Sequence, residues 1–276
     1  MSNMDFFSTT VAPRADQACD KLVAALPNLH LSTAKDLAVS TIPGRTYKQL
    51  FDACDVDDRF AEKCLPPRKQ CSTDKNNVEF LKLFGGSASG NTLVFRAKAA
   101  VDVDGSPASK LGNPNDQSNT SLFFDEGSVD KTANAEEVSF LVIPQESYRS
   151  KRHTFYNTFF GRDSGVKTGD LAVAVYGKYC SFGVVGDTGP EFRLGEASMR
   201  THAELGNSQC DKEHADENPC LHVKNHGAGK GVDAAAVTYI IFPGTRPAHL
   251  ISQTVREVTG KASREKAAKF INEFAK

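Results

Sequence analysis

The chain has 276 residues, of which 39% are hydrophobic and 24% charged, and its formal net charge is −1. That length can bury a sizeable core, as one large domain or two small ones. The balanced charge excludes a global field that would select nucleic acid or an anionic membrane, and no stretch approaches the roughly 20 apolar residues of a membrane span.

The first ten residues, Met1 to Thr10, contain neither the basic nor the apolar region of a secretory signal peptide. Seven cysteines is nevertheless a high count for a reducing compartment. Cys54, Cys64 and Cys71 lie close together, as do Cys210 and Cys220, whereas Cys19 and Cys180 stand apart. Such spacing points to disulfides and an oxidising destination, with at least one thiol left over. The expected location is therefore outside the cell, reached without a recognisable signal peptide.

In chain order, residues 15–65 read as helical. Ala18, Leu22, Val23 and Leu26 share a face, Ser32 is a plausible N-cap for a helix over 32–39, and Tyr47, Leu50, Phe51 and Cys54 recur at helical spacing. Pro66, Pro67 and the polar run Cys71 to Asn77 mark a boundary. Residues 1–75 are thus expected to be a helical N-terminal region, acting as an adaptor or packed on the rest of the chain. From Val78 the pattern alternates, with strand candidates at 78–84, 92–101, 138–144, 171–176, 179–185 and 236–242. Gly177-Lys178 is a two-residue hairpin turn between two of them. An α+β fold is expected, with a mostly antiparallel, barrel-like β domain over 76–246 and a C-terminal helix or helix pair over 247–276.

The stretch with most chemistry is 182–198. An apolar run, Phe182 to Val185, enters the turn-forming set Gly186, Asp187, Thr188, Gly189 and Pro190, and Gly195-Glu196-Ala197-Ser198 opens a stretch with helical spacing. Asp187 and Glu196 would then stand at the two ends of one excursion. Paired carboxylates are what glycoside hydrolysis needs, about 6.5–9.5 Å apart for inversion and about 5–5.5 Å for retention. Their nine-residue separation can span either gap.

Asp102 and Asp104 follow a strand in a glycine-containing turn. They read as solvated turn residues, as part of an incomplete calcium loop, or as an anionic subsite for an amino sugar, to which Asp116, Asp125 and Glu126 could add. The chain has no Trp, so sugar-stacking candidates are Tyr148, Phe155, Tyr156, Phe159 and Phe160, which could equally be core. Cys210, His214, Cys220, His222 and His226 resemble no standard zinc spacing, and a Cys210–Cys220 disulfide is preferred over zinc or free thiols. Gly227-Ala-Gly-Lys-Gly is not a phosphate-binding loop, and neither a metalloprotease helix nor a serine nucleophile elbow is present. No cofactor or metal is expected.

The blocks Val184-Val-Gly-Asp-Thr-Gly-Pro190, Leu194-Gly-Glu-Ala-Ser198 and Val237-Thr-Tyr-Ile-Ile-Phe-Pro-Gly244, with Asp102-Val-Asp-Gly105 and Val142-Ile-Pro144, resemble the motifs of the glycoside hydrolase family 75 endo-chitosanases. The resemblance covers about residues 78–244 in the family's order. It implies that Asp187 and Glu196 are the two essential acids of an inverting hydrolase, with Asp102, Asp104, Thr188 and Tyr156 as candidate substrate contacts. A helix dipole at Glu196 would favour it as base and desolvation would favour it as acid, and the preferred assignment is Asp187 as base and Glu196 as acid. The implied substrate is chitosan. Two alternatives remain, a peptidoglycan hydrolase delivered with a secretion carrier or immunity protein, and a non-catalytic glycan-binding module. No nucleic-acid partner is expected.

Overall fold

The structure, a computed structural model, describes residues 16–56, 75–110, 116–145, 159–190, 192–211, 213, 219–224 and 231–275. Helix α1 (Gln17–Ala25), the short strand β1 (Lys35–Asp36) and helix α2 (Tyr47–Val56) precede β2 (Phe80–Gly85), β3 (Asn91–Asp102) and β4 (Phe140–Pro144). Helix α3 (Phe160–Ser164), β5 (Leu171–Tyr176), β6 (Tyr179–Gly189), β7 (Glu196–Ser198), helix α4 (Met199–Glu204), β8 (Val232–Phe242) and helix α5 (Val255–Phe274) come next.

The strand order is β1-β2-β3-β7-β4-β6-β5-β8, and β3 pairs again with β8, so six strands close into a barrel while β1 and β2 extend from its edge. The β3–β7 and β4–β6 pairs are parallel and the other pairs antiparallel. The fold is α+β, a mixed and mostly antiparallel barrel with helices at both termini, as expected from the sequence. The hairpin between β5 and β6 turns at Gly177-Lys178, also as expected.

Side-chain alternation sorts the barrel into two layers. Leu93, Phe95, Leu141, Ala172, Val185, Ala197, Tyr239 and Ile241 come from all six strands and fill the interior, joined by Tyr47, Leu50 and Phe51 of α2. On the outer face Phe140, Val142, Val173, Val184 and Ile240 pack beneath α1, α5 and a segment carrying Leu122 to Val138. Strands covered on both faces read as continuous apolar runs, which is why Phe140-Leu-Val-Ile is uniformly hydrophobic.

Helix α5 buries Val255, Thr259, Ser263, Ala267 and Phe270, and the rings of Phe270 and Phe274 meet Phe84 edge-on. Its Glu273 carboxylate accepts hydrogen bonds from the backbone N–H of Ser87 and Ser89 in the β2–β3 loop. These donors, Ser89 foremost, hold the carboxyl down at about 2. Helix α1 is capped by Asp16, which accepts from Ala18 N and pairs with Arg264 of α5.

One sequence expectation is overturned here. Residues 32–39 do not form a helix: a 3-10 turn at Leu31–Thr33 leads into β1, because Leu37 and Val39 alternate into the core and their backbone groups pair with Tyr47 and Arg45. The C-terminal segment is a single helix, α5, one of the two forms expected. Cys19 and Cys180, isolated in sequence, are joined in a disulfide that ties α1 to β6. The expected Cys210–Cys220 disulfide forms and uses both thiols of the alternative zinc set. Cys54 is disulfide-bonded as well. Cys64, Cys71, His214 and His226 lie outside the described residues. No described helix is long and apolar enough to cross a membrane.

Candidate active site

Strand β4 lies between β6 and β7, and its Val142 is paired with Asp187 on one side and Glu196 on the other. Directly opposed residues project to the same face of a sheet. Asp187, Val142 and Glu196 therefore share the outer face of the barrel wall, in one row across three strands.

A one-residue irregularity puts Asp187 there. Leu141 pairs with Val185 but Val142 pairs with Asp187, leaving Gly186 as the extra residue of a bulge. Val185 points into the barrel, so strict alternation would send Asp187 inward as well; the bulge resets the parity and turns its carboxylate outward. Only glycine fits at the bulge, since a β-carbon on Gly186 would stand 2.3 Å from Cγ of Phe140.

Both acids sit on strands, which corrects the expected turn and helix start. β6 runs through to Gly189 because its parallel pairing with Val142, Ile143 and Pro144 continues past the bulge. Glu196 opens β7, paired on both edges by β3 and β4, and α4 begins only after Ser198, whose Oγ accepts from Thr201 N. The helix-dipole argument for Glu196 lapses accordingly.

Two strand spacings separate the backbones of β6 and β7, about 10 Å. The Glu196 side chain crosses much of that gap: its Oε2 lies 3.3 Å from the position of a β-carbon on Gly189, the next outward-facing position after Asp187 on β6. Glu196 thus extends over Val142 toward β6, reaching it two residues along from Asp187. Asp187 is 5% exposed, and Glu196 is half-buried.

Asp187 is held by a segment distant in sequence. Its Oδ1 accepts from Ser121 N at 2.9 Å, Ser121 Oγ at 2.6 Å and Thr188 N at 2.7 Å. Ser121 Oγ is also 2.8 Å from Thr188 Oγ1, so Thr188 supports the loop that holds the acid. Burial raises the Asp187 carboxyl, and these donors oppose the rise. Charge-assisted bonds of this kind favour the ionised form.

Asp102 and Asp104 join the same site. Asp102 ends β3 opposite Ser198, and its Oδ1 accepts from Asp104 N at 2.7 Å; Asp104 Oδ1 accepts from Gln117 N at 2.6 Å. Carboxylate oxygens of Asp102, Asp104 and Asp187 all lie within 4.8 Å of one another. Oxygens this close make the charge on each carboxyl group felt by its neighbours. Burial, then the negative charges of Glu196, Asp104 and Asp187, push the Asp102 carboxyl far up. Burial raises Asp104 to about 7, with Asp187, Asp116 and Glu196 adding to the rise and the Gln117 N–H opposing it. Crowded carboxylates titrate as a group, and either shared protons or a bound cation, ammonium or divalent metal, would neutralise this one.

Among the other candidates, Asp125 is committed to the fold, accepting from Leu250 N and pairing with Arg246. Phe160 is core against Tyr47 and Phe51, and the Arg162 guanidinium lies over the Phe159 ring. Tyr148, Phe155 and Tyr156 lie outside the described residues.

The sequence reading missed Ser121, the bulge at Gly186 and His202. Nothing local marks Ser121, which reaches Asp187 from 66 residues upstream. His202 is fully buried, with Nε2 3.0 Å from Ala100 O and Nδ1 3.4 Å from the Asn207 amide. Burial pushes it down to about 4, so it is neutral and braces β3 at the residue paired with Glu196. A cavity of about 650 Å³, lined by Asp16, Arg200, Glu204, Arg256, Lys261 and Arg264 among others, lies elsewhere, beside α5.

No protein-family model matches the chain, and comparison with curated proteins finds no match.

Proposed function

We propose that the protein is an endo-acting glycoside hydrolase that cleaves β-1,4 bonds of an amino-sugar polymer, chitosan by its resemblance to the family 75 chitosanases, with inversion. The observation that carries the reading is the row Asp187–Val142–Glu196, two acids on one outward face from the strands on either side of β4.

In this reading Asp187, with three donors on one oxygen, is the base. It takes a proton from a water molecule whose oxygen attacks the anomeric carbon, while Glu196 delivers its proton to the glycosidic oxygen as the C–O bond breaks. Asp102 and Asp104 give the site an excess of acidic groups that a glucosamine ammonium would relieve, which favours a deacetylated polymer. The disulfides fit work in an oxidising, extracellular setting.

Reducing-end release from chitosan tests the reading, with Asp187→Asn and Glu196→Gln each expected to lower turnover by orders of magnitude while leaving the fold intact. Anomeric NMR of the first product should show inversion. Full activity in either variant overturns the assignment. Loss of turbidity in purified cell walls with chitosan untouched would move the substrate to peptidoglycan.

A further inference from the structure

The segment that carries Ser121 to Asp187 also carries the one aromatic side chain among the described residues that is exposed, Phe123, at 63%. Leu122 is fully buried in the outer layer and Phe124 packs against that layer, whereas Phe123 is exposed and the Ser121 side chain reaches Asp187. Phe123 pairs with Thr132 in an isolated antiparallel bridge, so the backbone there is extended. Residues two apart in an extended segment project to the same side, about 7 Å apart. Since the Ser121 side chain reaches Asp187, the Phe123 ring stands on the acid-facing side, about one hexose away along the segment.

The platform under the ring is rigid. Arg246 Nη2 donates to Phe123 O at 3.1 Å and to Asp125 Oδ1 at 3.2 Å. Asp125 Oδ2 accepts from Leu250 N, Asp125 N donates to Leu250 O, and Asp130 N donates to Ser252 Oγ. A single exposed apolar side chain is ordinary on a protein surface; what sets Phe123 apart is its place two residues from the side chain that holds Asp187.

We infer that Phe123 is a sugar-stacking residue, whose ring receives the apolar C–H face of a pyranose in the polymer chain next to the cleavage point. The inference rests on the hydrolase reading for the identity of the ligand. A β-linked pyranose presents axial C–H groups on each face, and a chain without Trp must supply its stacking surface from Phe or Tyr.

The test compares the wild-type chain with Phe123→Ala and Phe123→Trp, using a glucosamine hexamer. Cleavage kinetics are read alongside calorimetric binding in a Glu196→Gln background. Phe123→Ala should raise KM and weaken hexamer binding about three- to tenfold with kcat retained, and Phe123→Trp should restore both. Unfolding temperature should not move, because the ring packs little. Unchanged KM and binding in Phe123→Ala, or a loss confined to kcat, overturns the inference while wild-type cleavage keeps the hydrolase reading. Phe123-dependent hexamer binding without cleavage keeps the platform and overturns the hydrolase reading. A wild-type chain that neither binds nor cleaves the hexamer overturns both.

Discussion

Glu196 reaches across β4 to lie directly over Gly189, with its Oε2 3.3 Å from where a β-carbon would stand and Val142 Cγ1 3.2 Å from the same point. Gly189 is thus the floor beneath the Glu196 carboxyl group. Gly189→Ala should fold normally, because the residue has ordinary strand geometry, but its methyl group must displace the Glu196 carboxyl by a few tenths of an ångström. A turnover loss of roughly ten- to hundredfold at unchanged unfolding temperature is expected, since small misplacements of a catalytic group cost rate steeply. Wild-type kcat would remove Glu196 from the chemistry.

The bulge makes a different demand. Gly186→Ala sets a methyl group 2.3 Å from the Phe140 ring, inside a layer packed by Val142 and Val184. Overpacking a core costs about 1–3 kcal/mol, and here relief would come most readily by removing the bulge, which turns Asp187 inward. Thermal unfolding should show a clear loss of stability, and residual activity should fall further than the folded fraction.

These two glycines explain what the sequence could and could not disclose. Strands β3, β4, β5, β6 and β8 were legible because each is an apolar run ended by polar or turn residues. The closure of the barrel was not, since the parallel pairs β3–β7 and β4–β6 join segments with no local signal for each other. The turn-like composition of Gly186 to Pro190 concealed a strand, because glycines needed for a bulge and for clearance look the same as glycines needed for a turn. Asp187, Glu196, Asp102 and Asp104 were all found as candidates by local pattern and do come together. Ser121 and Phe123 were not, because a holding or stacking role is fixed by tertiary contact alone.

Ser121 offers a direct probe of the Asp187 proton. Its Oγ donates to Oδ1 at 2.6 Å and so stabilises the carboxylate. Ser121→Ala removes that donor and keeps the backbone N–H, leaving burial less opposed. The Asp187 carboxyl should rise, so the acidic limb of the pH–rate profile should move to higher pH while the alkaline limb stays. A base must be ionised to act, so activity at mildly acidic pH is lost first. A limb that stays in place would assign it to another group.

The disulfide between Cys19 and Cys180 links residues 161 apart and ties α1 to the start of the strand that bears Asp187. Cys19→Ser with Cys180→Ser should lower stability by about 2–5 kcal/mol, mainly through the freedom regained by the unfolded chain. Activity at low temperature should survive, since β6 keeps its pairing with β4 and β5 beyond Cys180.

Stability should also carry a signature of the crowded carboxyl groups. In the folded chain burial raises Asp104 from 3.8 to about 7 and raises Asp102 well above the usual carboxylate range. A group with a raised folded-state value retains its proton in the native state while the unfolded chain releases it, so the native state binds more protons between those limits. The contribution of Asp104 is fully present below 3.8 and is lost as pH climbs through about 7. Glu273, held down at about 2, acts in the opposite sense, but only at lower pH. Denaturant titrations from pH 4 to pH 8 should therefore show stability declining toward neutrality in the wild-type chain. Asp104→Asn should flatten that decline, because an amide has no proton to lose. An undiminished slope in Asp104→Asn would place the uptake of protons elsewhere, and a wild-type slope of the opposite sign would mean that Asp102 and Asp104 are ionised in the fold.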